Sequence, residues 1–199
     1  TTYAATHANT NSSTIKTTLD TWYQNNLTSY SSLIADAGFC GDRSMAPNAN
    51  TWDYNDTALG YGTNFTFYGP LSRLDSNYGS AGINPQFACP QSNDLYTTAT
   101  STKGNKALTY PIGLITADEV AYAGGVFGEI NNNYYLVNNE PSWTMSPVAV
   151  LSYAIVYSVD SNGSVDGVRG VCPTINLKST VKVTGGGGTS SNPYVIKTN

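Results

Sequence analysis

Apolar residues recur with helical spacing first. In residues 12–27, "SSTIKTTLDTWYQNNL", Ile15, Leu19, Trp22 and Tyr23 fall on one face. Ser13 stands where an N-cap belongs. The remaining positions are rich in Thr, which lowers helix propensity, so packing of the apolar face has to hold the helix. "LTSYSSLIAD" repeats the spacing with Leu27, Tyr30, Leu33 and Ile34, which predicts a second, shorter helix ending near Gly38. From 41 to 106 the periodicity dissolves into Gly, Pro, Asn, Ser and Tyr. That predicts long loops with a few short strands, packed by Tyr54, Tyr61, Phe65, Phe67 and Tyr68.

Order returns at "ALTYPIGLITADEVAYAGG". Residues 107–115 predict a strand leading straight into a short helix. Thr116 and Glu119 have the spacing of a capping box, and Gly124-Gly125 end the helix. "NNNYYLVNN" and "SWTMSP" predict short strands. "SYAIVYSV" alternates, with Tyr153, Ile155, Tyr157 and Val159 opposite Ser152, Ala154, Val156 and Ser158, and "DSNG" after it signals a turn. "VRGVCPTINLK" and "VKVTGG" predict returning strands, and "GGGGTSSNPYVI" a Gly loop followed by a final short strand or linker. The expectation is an α+β fold, helices first and antiparallel strands to the end, with a domain over 1–184 and a Gly-rich connector and terminal strand over 185–199. One stretch resists this order. Val148-Ala149-Val150-Leu151 is apolar, follows Pro147 and lies near an expected hairpin tip.

Composition narrows the function. The chain has 199 residues, 40% of them hydrophobic, enough for one real core. Only 11% are charged, against roughly 25% in ordinary soluble domains. Fifteen Tyr and two Met, with abundant Asn, Thr and Ser, suit an extracellular surface protein. The net charge of -4 carries no basic footprint for nucleic acid. No run reaches the ~18 apolar residues that would suggest a membrane span. The chain starts at Thr1 without an initiator Met or signal peptide, so the expectation is a trimmed segment with any membrane anchor outside it.

The chemistry-bearing residues are few. The three cysteines form no CxxC pair and the one histidine is His7, which does not make a zinc site. In an oxidising compartment one disulfide is expected. Cys40 and Cys89 lie in the loop-like contexts "GFCGDR" and "FACPQ" and are the favoured pair, with Cys172 a buried free thiol in an apolar run. The alternative is three reduced, buried cysteines. Asp53 and Asp56 beside Trp52 and Tyr54 could form a sugar-binding acid cluster or be solvated loop acids. Asp118 suits a helix N-terminus and Glu119 a capping box. "DSNGSVDG" has alternate oxygen ligands but lacks the distal Glu of a calcium loop and reads more simply as a turn. Asp42 with Arg43, and Asp118 or Glu119 with Arg169, are candidate ion pairs. No catalytic residue, metal or cofactor is expected.

The phrases "STIKTTLDTWYQNNL", "FCGDR", "YPIGLITADEVAYAGG", "YYLVNNEPSWTMSP" and "GVRGVCPTINLK" resemble a family of bacterial, mostly Gram-positive, surface domains of unassigned function. That family is similar to the C-type-lectin-like fold of the formylglycine-generating-enzyme type, which also carries the variable residues of retroelement-diversified proteins. The usual "GVRPVINL" reads here as "GVRGVCPTINL". The lone Cys172 in that half does not supply the reactive cysteine pair of the oxidase chemistry. The resemblance implies a noncatalytic binding module whose segment from Val148 to Arg169 is exposed at the sheet edge. The ligand surface would then comprise Trp143, Val148, Ala149, Val150, Leu151, Tyr153, Asp160, Asn162 and Asp166, facing a protein or a surface glycan. An apolar tip there would be a contact patch; otherwise Val148–Leu151 tuck under a neighbouring loop. A structural subunit of a surface or pilus-like assembly is the other expectation.

Overall fold

The computed structural model describes residues 9–46, 66–74, 84–125, 142–150, 154–159, 169–189 and 191–197. It is mixed α+β, with few helices and small antiparallel sheets.

Helix α1 (Thr14–Asn26) begins where the sequence predicts, because the Ser13 side chain accepts the Lys16 backbone N–H. Leu19 and Tyr23 bury its inner face, while Trp22, expected there, is 40% exposed. The second predicted helix is one 3₁₀ stretch (Thr28–Leu33) that leaves into β1 (Ile34–Ala35). Its Ser-rich outer side favours no longer helix, and Tyr30 points to solvent. Strand β2 (Phe39–Cys40) follows. In the loop-rich centre, β3 (Thr66–Phe67) runs into a short helix α2 (Gly69–Leu74), with Pro70 in its first turn. Strand β4 (Leu95–Tyr96) pairs antiparallel with β2.

Residues 107–115 do not form the predicted strand. Pro111 has no N–H to give a ladder, and only isolated bridges remain, Leu108 to Thr98 and Gly113 to Thr174. Helix α3 (Ala117–Tyr122) starts on the predicted capping box, with both of its reciprocal bonds made.

Strand β5 (Ser142–Val150) is the spine of the molecule. On one edge it pairs with β6 (Ala154–Val159), with register shifts on both sides of Pro147. Its other edge is covered in succession: the Trp143 N–H donates to Gly170, the Met145 N–H to Ile115, and Val148 accepts from Tyr68, beside the β3 pairs Phe67–Ala149 and Thr66–Val150. Val148–Val150 lies beside the β5–β6 connection, as expected, with Val150 opposite Ala154, but it is not a sheet edge, because it sits in the central strand of the order β3-β5-β6. Its apolar run belongs to a strand paired on both edges.

After Arg169 the chain alternates. Val171 and Ile175 pack against the core, and Cys172 between them is free and exposed rather than buried. Strand β7 (Asn176–Leu177) pairs with β1, tying the C-terminal third to the helical start. Strands β8 (Lys182–Gly185) and β9 (Val195–Lys197) form a separate two-stranded hairpin. The boundary expected at residue 185 thus falls inside β8.

One core cluster joins Leu19 and Tyr23 of α1, Ile34 of β1, and Ile112 and Leu114, with Trp143 and Met145 packed against it. Tyr23 stacks on Tyr110 with ring centroids 4.8 Å apart. Burial, followed by the charge of the Tyr110 hydroxyl, pushes the Tyr23 phenol above its ordinary pKa.

Candidate functional site

Alternation along β5 sorts "WTMSP" into two jobs. Thr144 and Ser146 are buried. The Ser146 hydroxyl accepts the Ala117 N–H at 2.9 Å, satisfying a free donor at the start of α3. Trp143, Met145 and Pro147 line a cavity of about 470 Å³ between β5, α1 and β2. Ile15 and Leu19 form the α1 wall, Phe39 and Gly41 the β2 wall, and Leu108, Ile112 and Leu114 line it from the chain preceding α3. Tyr68 and Tyr96 add aromatic surface, and Asn9, Asn11, Ser12, Ser13, Lys16, Arg43 and Thr144, whose Oγ1 accepts the Ser146 N–H, the polar groups.

Those polar groups are held in a network. Arg43 lies over the Tyr96 ring, 5.7 Å from its centroid. Its Nε donates to Asp94 Oδ1 at 2.8 Å, and its backbone N–H to Asp94 Oδ2 at 2.6 Å. Its Nη2 reaches Asn9 Oδ1 at 3.0 Å, which also accepts the Tyr96 hydroxyl at 2.9 Å. Asp94 is wholly buried. Lys16 pairs with Asp20 one turn along α1.

A second charged cluster holds the frame behind the site. The guanidinium of Arg73, on α2, donates from Nε to Asp118 Oδ1 at 2.7 Å and from Nη2 to Oδ2 at 2.5 Å, and its Nη1 lies 2.6 Å from Asp42. Burial opposes its charge, but the hydrogen bonds and charges of Asp118 and Asp42 outweigh this and hold its pKa above the ordinary value. The expected pairings are corrected here. Asp42 pairs with Arg73, leaving Arg43 to Asp94. Of the two acids expected for Arg169, Asp118 pairs with Arg73, and Glu119 accepts from Thr116.

Of the expected ligand-facing residues, Trp143 lines the cavity and Val148 is half-buried on β5. Ala149 and Val150 are placed by their pairing with β3 and β6. Leu151, Tyr153, Asp160, Asn162 and Asp166 lie outside the described residues, as do His7, Asp53, Asp56 and the "NNNYYLVNN" strand. A disulfide joins Cys40 and Cys89, with Cα atoms 5.5 Å apart, at the β2 side of the site. Among the described residues, no three His, Cys, Asp or Glu side chains gather as metal ligands would. The sequence reading missed Asn9, Lys16, Phe39, Arg43 and Tyr96. The available signal was the same-face triplet Trp143, Met145, Pro147, too large and apolar a set for a solvated strand face.

No protein-family model, curated protein or solved structure matches the chain.

Proposed function

We propose that this chain is a noncatalytic, extracellular ligand-binding module of a bacterial surface, with a C-type-lectin-like fold, and that its ligand seats in the cavity walled by β5. One observation carries this reading. A concave space of about 470 Å³ is lined mainly by apolar and aromatic side chains, with a few polar groups at one side, as small-ligand sites usually are. The state of those polar groups favours binding over chemistry. Arg43 and Lys16 are engaged with carboxylates, and Asp94 is too enclosed to act as a base on a bound molecule. The Cys40–Cys89 disulfide supports an oxidising compartment.

The test is a ligand screen read at the Trp143 indole N–H by NMR. A true ligand shifts that resonance, and Ser12→Trp, at the exposed rim, abolishes the shift without lowering the melting temperature. Ligands that bind while leaving Trp143 and its cavity neighbours unmoved would overturn the assignment.

The reading as a structural subunit draws on the β8–β9 hairpin, which exposes Val183, Tyr194 and Val195. Sedimentation velocity across a hundredfold range of concentration decides it; a constant monomer removes that alternative.

A further inference from the structure

Resting on the cavity as the binding site, we infer that its ligand is an uncharged, mainly apolar small molecule, and not a glycan or an organic anion. The argument comes from what the charges near the cavity are already doing. Arg43 is the natural anchor for an anion, yet its Nε and Nη2 both face Asp94, and Nη2 also meets Asn9. An anionic ligand would have to draw Arg43 away and leave Asp94, with no solvent exposure, as a buried charge without its cation. Lys16 is likewise engaged with Asp20. A cationic ligand meets no carboxylate among the described lining residues, which include no Asp or Glu.

A sugar ring asks for several convergent donors and acceptors. Here Asn9 Oδ1 already accepts from Arg43 and Tyr96, and its Nδ2 donates to Asn93. Ser13 is committed to capping α1. What remains is the apolar wall of Phe39, Ile112, Trp143, Met145 and Pro147, with Asn11 and Ser12 exposed at the mouth to meet one polar end group. A neutral ligand entering that wall gains by burying apolar area and asks no ion pair to open.

The experiment compares two dyes of similar aromatic frame. N-phenyl-1-naphthylamine is uncharged, and 8-anilinonaphthalene-1-sulfonate carries a sulfonate. Each is titrated by fluorescence into the whole chain and into the rim variants Ser12→Trp and Ala107→Trp, whose side-chain positions are exposed, with melting temperature confirming the fold. The uncharged dye is expected to bind saturably at one site, at least about tenfold tighter than the sulfonate, and to lose about tenfold or more in either rim variant. A sulfonate that binds as tightly, and is equally blocked by the rim variants, overturns the ligand class while leaving the cavity as the site. Glycans that shift the Trp143 indole resonance where the neutral dye does not would do the same. Binding of either dye that both rim variants leave unchanged, or no binding of any probe, overturns the cavity reading and the inference together.

Discussion

Arg73→Met tests the account of what holds the frame. The guanidinium makes three short contacts to two carboxylates, and the exposed fractions of the side chains are 13% for Arg73, 6% for Asp118 and 3% for Asp42. Met keeps the stem and removes the charge. Asp118 then retains the Gln86 N–H at 2.9 Å, and Asp42 retains the Ser44 N–H and hydroxyl. Breaking a buried pair by deleting one partner costs about 3–5 kcal/mol, and these surviving bonds put the expected loss near the lower end. At about 2–4 °C per kcal/mol for a chain of this size, the melting temperature should fall by roughly 6–15 °C. Urea unfolding followed by tryptophan fluorescence gives the free energy, provided the slope is unchanged. The pH dependence has a definite sign. Arg73 has a folded pKa raised above the unfolded one, so its contribution is complete below about pH 12 and fades only above that. The deficit of the variant attributable to Arg73 itself should therefore not change between about pH 6 and 9. The triple variant Arg73→Met, Asp42→Asn, Asp118→Asn removes all three charges and should regain much of the loss. A single-variant loss under about 1 kcal/mol, the scale of a surface pair, or a triple variant no better than the single one, refutes the reasoning.

Three further outcomes are expected. Replacing Cys40 and Cys89 together by Ser, at a separation of 49 residues, should cost about 4 kcal/mol from loop entropy, measured by urea unfolding against the oxidised parent. Gly113→Ala would place a methyl 2.5 Å from Phe39 Cγ, so it should destabilise by about 1–3 kcal/mol, and Phe39→Leu in the same chain should recover part of that. Alkaline titration followed at 295 nm should show the Tyr23 phenol ionising late. Because the Tyr23 pKa is raised in the folded state, its share of stability is present below about pH 10 and is lost as the pH rises further, so Tyr23→Phe should flatten the alkaline decline.

Local chemistry made parts of this fold readable in the sequence. Ser13 before an apolar period, and Thr116 with Glu119, announce helix starts whose partners lie within three residues. Strand β6 announces itself by its alternation, while of β5 only the "SWTMSP" part is legible as a strand. What stayed hidden depends on partners far along the chain. Arg73 and Asp118 are 45 residues apart, and no short pattern joins them. Val148–Val150 looks like a misplaced apolar tip until β3 arrives from some 80 residues earlier to cover its edge. The cavity is assembled from α1, β2, the chain before α3 and β5, so none of its walls could be read as a motif.

The bond between Cys40 and Cys89 also changes what a protease can do to this molecule. It closes a covalent ring with β2 and β4 at its junction, Cys40 lying directly opposite Leu95 in the ladder. A single cut anywhere between Gly41 and Ala88 opens the ring without releasing a fragment. The two new ends stay tethered, and the nicked product runs as one species until a reductant separates it. The α1 segment and the strands from β4 onward would then remain one molecule for as long as the disulfide stays oxidised.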